Sequence, residues 1–229
     1  MADRFVDIFK DAEHAAQYAD GPARFVPGFR SVHQMAGVLI REFAPADAHV
    51  MAHGAGGGLE LLSLATENPG WTFVGVDQAK PMLDEARARF GDLNDRVELH
   101  HGYAEDAPEG PFDAATSFLT LHFLDADERR KTVSDIVRRL KPGAPFITAH
   151  CSFPQDPEHR EAWMTRHREF TIASGVDFDS AEKGRKDLAD SLEVLDPEVD
   201  EQLLRDAGLS DVTQFYSAFT WRGWFGRAL

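Results

Sequence analysis

The stretch AHGAGGG, residues 52–58, sets four glycines in seven residues where an apolar strand gives way to a helix. Upstream, PADAHVMAHG reads as a short buried strand. Downstream, LELLSLATE repeats leucine at helical spacing until NPG stops it. Glycines at such a turn allow unusual backbone angles and leave no Cβ between the main chain and a ligand. The architecture that uses a turn of this kind is an open α/β sheet, with its ligand crevice beyond the carboxyl ends of the strands.

The rest of the chain keeps that alternation. SVHQMAGVLIREF places Val32, Met35, Leu39 and Phe43 on one helical face, ahead of the glycine turn. WTFVGVD is a second strand, and KPMLDEARARF opens a helix with Pro81 in its first turn. RVELHHG is a third strand, PFDAATSFLTLHF contains a fourth and PFITAHCSF is a fifth. Between the last two, ADERRKTVSDIVRRL is a helix closed by KPG. Strands and helices in this order predict βαβ units, a mostly parallel sheet and helices on both faces. The last third differs: PEHREAWMTRHREFTIASG and DPEVDEQLLRDAG read as helices, and DVTQFYSAFTWRGWFG as two closing strands.

The ligand class follows from what the turn lacks. Gly54, Gly56 and Gly58 give G-x-G-x-G, but Leu59 stands where a dinucleotide fingerprint needs its third small residue. No lysine follows, so the turn is not a triphosphate-binding P-loop. Asp77 ends the second strand, where a carboxylate can accept both hydroxyls of a ribose. A ligand with a ribose and no pyrophosphate fits, and S-adenosyl-L-methionine (SAM) is the common one.

Composition narrows the partners. The 229 residues carry 39 acidic and 24 basic side chains, a net charge of −15. Nucleic-acid binding draws on basic surface, so no direct nucleic-acid partner is expected, and RHREF and EKGRK are weak basic patches. The single cysteine, Cys151, allows no internal disulfide, and the acidic, amphipathic start MADRFVDIFKDAEHAAQYAD is unlike a secretion signal. With no run long enough to span a membrane, the expectation is a cytoplasmic protein acting on a small molecule, with a homodimer possible in principle.

Taken together, VMAHGAGGGLELLSLA, FVGVDQAKPMLDEA, HGYAEDAPEGPFDAATSFLTLHFL and IVRRLKPGAPFITAH resemble, in order and spacing, the motifs of the class I SAM-dependent methyltransferases. The resemblance implies a Rossmann-like α/β fold: a central, mostly parallel seven-stranded sheet with an antiparallel last strand and helices on both faces. It implies an N-terminal helical lid (1–47), a SAM-binding core (48–152) and a substrate-side insertion with closing strands (153–229). RFVPGFRSVHQMAGVLIREF, LTLHFLDADERR and EKGRK are similar in layout to the carboxy-SAM synthase family.

By that resemblance Gly54, Ala55 and Gly56 line the methionine and ribose of SAM, and Asp77 and Gln78 hold the ribose. Tyr103 and Ala104 flank the adenine, Phe29 closes over the site, Ser117 ends the fourth strand and Arg185 grips an extra carboxylate. The family's acid two residues before the first glycine is Ala52 here, which leaves His53 or Glu60 as other contacts for the methionine end. Tyr103 stands where an acid is common, Phe29 lacks a hydroxyl, and Ser117 replaces an amide. His122, just after the fourth strand, is the candidate general base. Trp163, Phe170, Phe178, Trp221 and Trp224 are candidates for an apolar substrate pocket. His49 and His53 lie roughly 13 Å apart along a strand, too far to share a metal, and no metal is expected. The expected function is methyl transfer from SAM to a small molecule, releasing S-adenosyl-L-homocysteine (SAH). The alternatives are a carboxy-SAM synthase-like enzyme using prephenate, a non-catalytic SAM-binding protein and, least compatible with the turn, a nicotinamide oxidoreductase.

Overall fold

The structure is a computed structural model and describes residues 7–18 and 21–229, so residues 1–6 and 19–20 of the expected lid lie outside it. Seven strands form one sheet: β1 His49–His53, β2 Thr72–Asp77, β3 Val97–His101, β4 Ala114–Phe118, β5 Pro145–Cys151, β6 Leu209–Ala218 and β7 Trp221–Ala228. Their order is β3-β2-β1-β4-β5-β7-β6. Strands β1 to β5 pair in parallel, while β7 runs antiparallel to both β5 and β6. The last strand is therefore the antiparallel one, as the resemblance implies. The order reverses between β1 and β4, which opens a crevice at their carboxyl ends.

Helices α1 Ala12–Gln17, α2 Pro22–Phe25 and α3 Phe29–Phe43 precede the sheet. Helices α4 Leu59–Glu67 and α5 Lys80–Phe90 follow β1 and β2, and α6 Ala126–Val137 precedes β5. Strand alternation divides the core between the two faces. Val50 and Ala52 of β1 pack with Ala36 and Ile40 of α3 and Leu61 and Leu64 of α4. Met51 turns to the other face, with Val133 and Ile136 of α6 and Leu203 and Leu204 of α9 (Pro197–Asp206).

Between β5 and β6 stand α7 Pro157–Ala173, α8 Phe178–Ser191 and α9. A buried ion pair ties this insertion to the sheet. Arg129 of α6 is fully buried and donates to Asp200 of α9, to the Leu124 carbonyl (3.1 Å) and to the Glu193 carbonyl (2.5 Å). The Glu193 N–H in turn donates to the His122 carbonyl at 2.9 Å. The N-terminal segment is tied to the far end of the sequence, where the Trp221 indole donates to the Phe25 carbonyl (2.9 Å) and the Tyr216 hydroxyl to the Pro27 carbonyl (2.5 Å).

Removing one partner of a buried ion pair leaves the other charged without compensation, at a cost of roughly 3–5 kcal/mol. We expect Arg129→Met to lower the unfolding free energy measured in denaturant melts by that order. Adding Asp200→Leu should recover much of the loss in a double-mutant cycle. Additive losses would mean that the pair is not the link between insertion and sheet.

Candidate active site

The site begins with the glycine turn. Gly54 and Ala55 donate to the Val76 carbonyl at 2.8 and 3.0 Å, folding the turn against β2. Gly54 has φ +70°, and a Cβ there would lie 2.0 Å from the Thr120 hydroxyl oxygen. Gly58 has φ +76°, and a Cβ there would meet the Phe90 ring at 2.7 Å. Both positions demand glycine for shape as well as for backbone angle. The Arg89 guanidinium reaches the Gly57 carbonyl and closes the turn from α5.

Asp77 organises the ligand side of this turn. Its Oδ2 accepts from the Gly56 N–H at 2.8 Å and its Oδ1 from the Ala79 N–H at 2.7 Å. Burial pushes its pKa up, against the pull of these two hydrogen bonds. Each oxygen keeps a further lone pair, so two ribose hydroxyls can still donate to it. Beside it, His53 at the end of β1 shares a 3.1 Å hydrogen bond through Nδ1 with the Ser117 hydroxyl of β4, across the point where strand order reverses. Burial lowers the His53 pKa to about 4, so the ring is neutral at pH 7.

A cleft of about 430 Å³ runs along this edge, lined by His53, Gly54, Gly56, Asp77, Gln78, Tyr103 and Ala104 together with side chains from elsewhere. The sequence pattern did not single out Phe9, Tyr18, Met82, Thr120 and Phe123, which also line it. Phe9 and Tyr18 come from the N-terminal segment, and no local motif marks them as ligand-facing. The remaining candidates lie off the cleft. Ala55 is buried in the core beneath the turn, and the fully buried Ser117 acts through His53. Phe29 lies edge-on to His33 and lines a different hollow, between α3 and α4.

A second cavity of about 460 Å³ adjoins the cleft and shares Phe9, Tyr18, Leu119 and Phe123 with it. It lies between the N-terminal segment and helices α7 and α8, and His122, His167 and Trp221 line its inner side. Of the aromatic candidates for a substrate pocket, Trp221 faces this cavity, Trp224 is buried in the core and Phe178 is exposed. His122 does not stand as a free base, because its Nδ1 accepts the Cys151 backbone N–H at 3.0 Å. That hydrogen bond places the ring proton on Nε2. Burial, with the nearby His150 and Arg129, holds the His122 pKa well below the ordinary histidine value.

Arg185 is outside the lining of both cavities. Its guanidinium forks onto Glu182 at 3.0 and 2.8 Å and reaches Glu161 of α7 at 3.4 Å. The inward face of α8 is instead Ala181, Gly184 and Leu188. His49 bonds Thr72 and His53 bonds Ser117, so the two rings serve separate neighbours.

The pattern of a crevice between β1 and β4, a glycine turn and a strand-end acid has known counterparts. Residues 50–143 match the family model described as a methyltransferase domain. The fold is that of the class I SAM-dependent methyltransferases, and the matched stretch covers the core from β1 to the turn before β5. It is 25% identical over 219 residues to the carboxy-S-adenosyl-L-methionine synthase of Chromohalobacter salexigens, an alignment covering 93% of this chain and 81% of that protein. Among solved structures it superposes on a putative O-methyltransferase from Nostoc punctiforme with a TM-score of 0.66 at 20% identity, covering 93% of this chain and 60% of that one. The human N-acetylserotonin methyltransferase in complex with SAM gives 0.64 at 15% identity, covering 98% and 58%. The chain thus spans about three-fifths of the length of those two solved chains.

Under the glycine turn, Glu60 of α4 is buried with its Oε1 unpartnered, and burial raises its pKa to about 8. A carboxyl whose folded pKa exceeds its unfolded value of 4.5 destabilises the fold progressively as pH rises from 4.5 through 8. We expect Glu60→Gln to match the wild type near pH 5 and to exceed it by a few kcal/mol, on the order of 1.4 per pKa unit, near pH 9. Melting curves at the two pH values check this, and a gap that ignores pH rules it out. For the ligand side, Asp77→Asn puts an amide against the two N–H donors. It should weaken SAH binding by about tenfold or more in calorimetry, since hydrogen bonds to a charged group contribute about 1.5–3 kcal/mol each. An unchanged affinity would remove Asp77 from the binding site.

Proposed function

We propose that this protein transfers the methyl group of SAM to a small molecule held in the apolar cavity beside the cleft. The observation that carries the reading is the wall shared by the two cavities, Phe9, Tyr18, Leu119 and Phe123, beside which two bound molecules can meet. The cleft fits SAM on its own features. It has the volume of a small-molecule site, a turn with no side chain at Gly54 and Gly56, and a carboxylate with lone pairs to spare. In this reading Asp77 and Gln78 hold the ribose, and Tyr103 and Ala104 flank the adenine. Gly54, Gly56 and His53 receive the methionine end, with Ala55 and Ser117 shaping the floor beneath it.

When bound, SAM supplies an electrophilic methyl on a sulfonium and leaves as SAH. The work left to the protein is to hold two reactants in line and keep water out. Helices α1 and α2 serve as the lid in this reading, with α7 and α8 as the substrate-side wall. The lone cysteine, Cys151, is buried, which suits a reducing, cytoplasmic setting. The carboxy-SAM reading lacks its carboxylate grip, because the fork of Arg185 is taken by Glu182.

Calorimetry with SAM and SAH tests the cofactor, and mass spectrometry of whatever copurifies with the protein tests its form. We expect both compounds to bind and SAM or SAH to copurify. No binding of either at millimolar concentration would defeat the proposal, and copurified carboxy-SAM would replace methyl transfer with the synthase reaction.

A further inference from the structure

The second cavity contains the chemistry of its occupant. A run of rings crosses it from the cofactor side inward. Tyr18 lies 5.7 Å from Phe9, Phe9 5.9 Å from Phe123, Phe123 4.5 Å from His122, His122 5.7 Å from Trp221 and Trp221 6.2 Å from His167. Every one of these residues lines the cavity. Successive rings at such spacing favour a flat aromatic guest, which stacks on faces and meets edges.

Polar groups on the wall say what that guest must present. The ring proton of His122 sits on Nε2, which has no partner among the described residues and is not among the orphaned nitrogens sealed from solvent. It is a donor waiting for an oxygen. Arg24 lines the same cavity and its guanidinium has no ion pair or hydrogen bond among the described residues, whereas Asp187 on the opposite helix is tied to Lys183 at 2.6 Å. The groups around His122 are the Cys151 N–H and, beyond it, His150, Arg129 and Asp200.

Among the described residues of this wall, the histidines are poorly matched to a neutral alcohol's proton and the one carboxylate, Asp187, is held by Lys183. The His122 lone pair is engaged by Cys151, and burial holds His53 and His167 near pKa 4. Such rings are mismatched by several units to a phenol proton. Glu60, raised to about 8, lines neither cavity. We infer that the methyl acceptor is a planar phenol-like acid that enters as its phenolate, and that His122 donates a hydrogen bond to its oxygen instead of removing its proton.

This rests on the methyl transfer proposed above. One lone pair of the phenolate oxygen accepts from His122 Nε2–H, and another forms the new O–C bond. The C–S bond breaks with its electron pair going to sulfur. The negative oxygen and the positive sulfonium both become neutral, so no proton remains for the protein to take up.

4-Nitrophenol tests the inference, because its absorbance reports the phenolate directly. The titration uses the full chain saturated with SAH, which must bind for the cofactor reading to stand. With SAH bound, we expect the dye's pKa to fall by about one unit or more in the cavity, since a donor and an unpaired cation favour the anion. The shift should persist in His122→Gln, which keeps an N–H donor, and vanish in His122→Phe. Because His122→Phe also strips the Cys151 N–H of its acceptor, a second measurement uses wild type alone. Across phenols of graded acidity, the rising limb of kcat/KM against pH should follow each phenol's own ionisation. A dye bound in its neutral form, no dye binding by SAH-loaded protein, or a limb fixed across the phenol series would each overturn the inference while leaving SAM binding intact.

Discussion

One carboxylate, Asp77, sets the shape of the whole ligand edge. The glycine turn has few contacts of its own: left-handed residues at Gly54 and Gly58 bring no side chain that could hold them. The turn is held from outside, by the Val76 carbonyl beneath it and by Asp77 accepting from Gly56. The same carboxylate accepts from Ala79 and so starts α5. A single buried group thus fixes the turn, the helix start and the position of two acceptor oxygens in the cleft. Burial raises its pKa while the two N–H donors favour the anion. That balance keeps the oxygens available to hydroxyl donors, whose hydrogen bonds to the charged form would favour it further.

The second cavity, the acceptor half in the proposed reading, depends on a different kind of constraint. Its walls come from both ends of the chain and meet only because long-range hydrogen bonds bring them together. Trp221 and Tyr216 hold Phe25 and Pro27, and Arg129 holds Asp200 and Glu193. Each of these donors lies at least partly out of water, where an unmade hydrogen bond is costly. The glycine-turn wall of the cleft is therefore local in sequence, and the walls of the second cavity are assembled at a distance.

That division explains what could be read in advance. The five parallel strands, the glycine turn and Asp77 followed from periodicity and turn chemistry, because each is encoded within a short stretch. The antiparallel last strand came through resemblance, since spacing alone does not give strand direction. Phe9, Tyr18 and Phe123 were not legible as wall residues, because a phenylalanine at helical spacing looks the same over a core or a cavity. Ser117 and Ala55 could be placed near the turn but not on its buried side. Arg129 and Arg139 are both buried, against the usual habit of arginine. Arg139 folds onto the Glu105 carbonyl (2.7 Å) and the Asp135 carbonyl (2.7 Å), and so holds the segment after Tyr103 and Ala104. Nothing in ADERRKTVSDIVRRL distinguishes these two from their exposed neighbours.

His122 shows the limit most plainly: its place just after β4 is legible in the sequence, and the partner that fixes its tautomer is not. Whether a neutral histidine accepts or donates depends on which nitrogen is already engaged. Here the deciding partner is a backbone N–H on β5, a strand distant in sequence and adjacent in the sheet. The parallel pairing of β4 with β5 brings Cys151 near the turn after β4, so the sheet topology itself selects the tautomer. A residue that looks like a base in sequence is thereby turned into a donor by the fold, and in the phenolate reading the basicity resides in the acceptor.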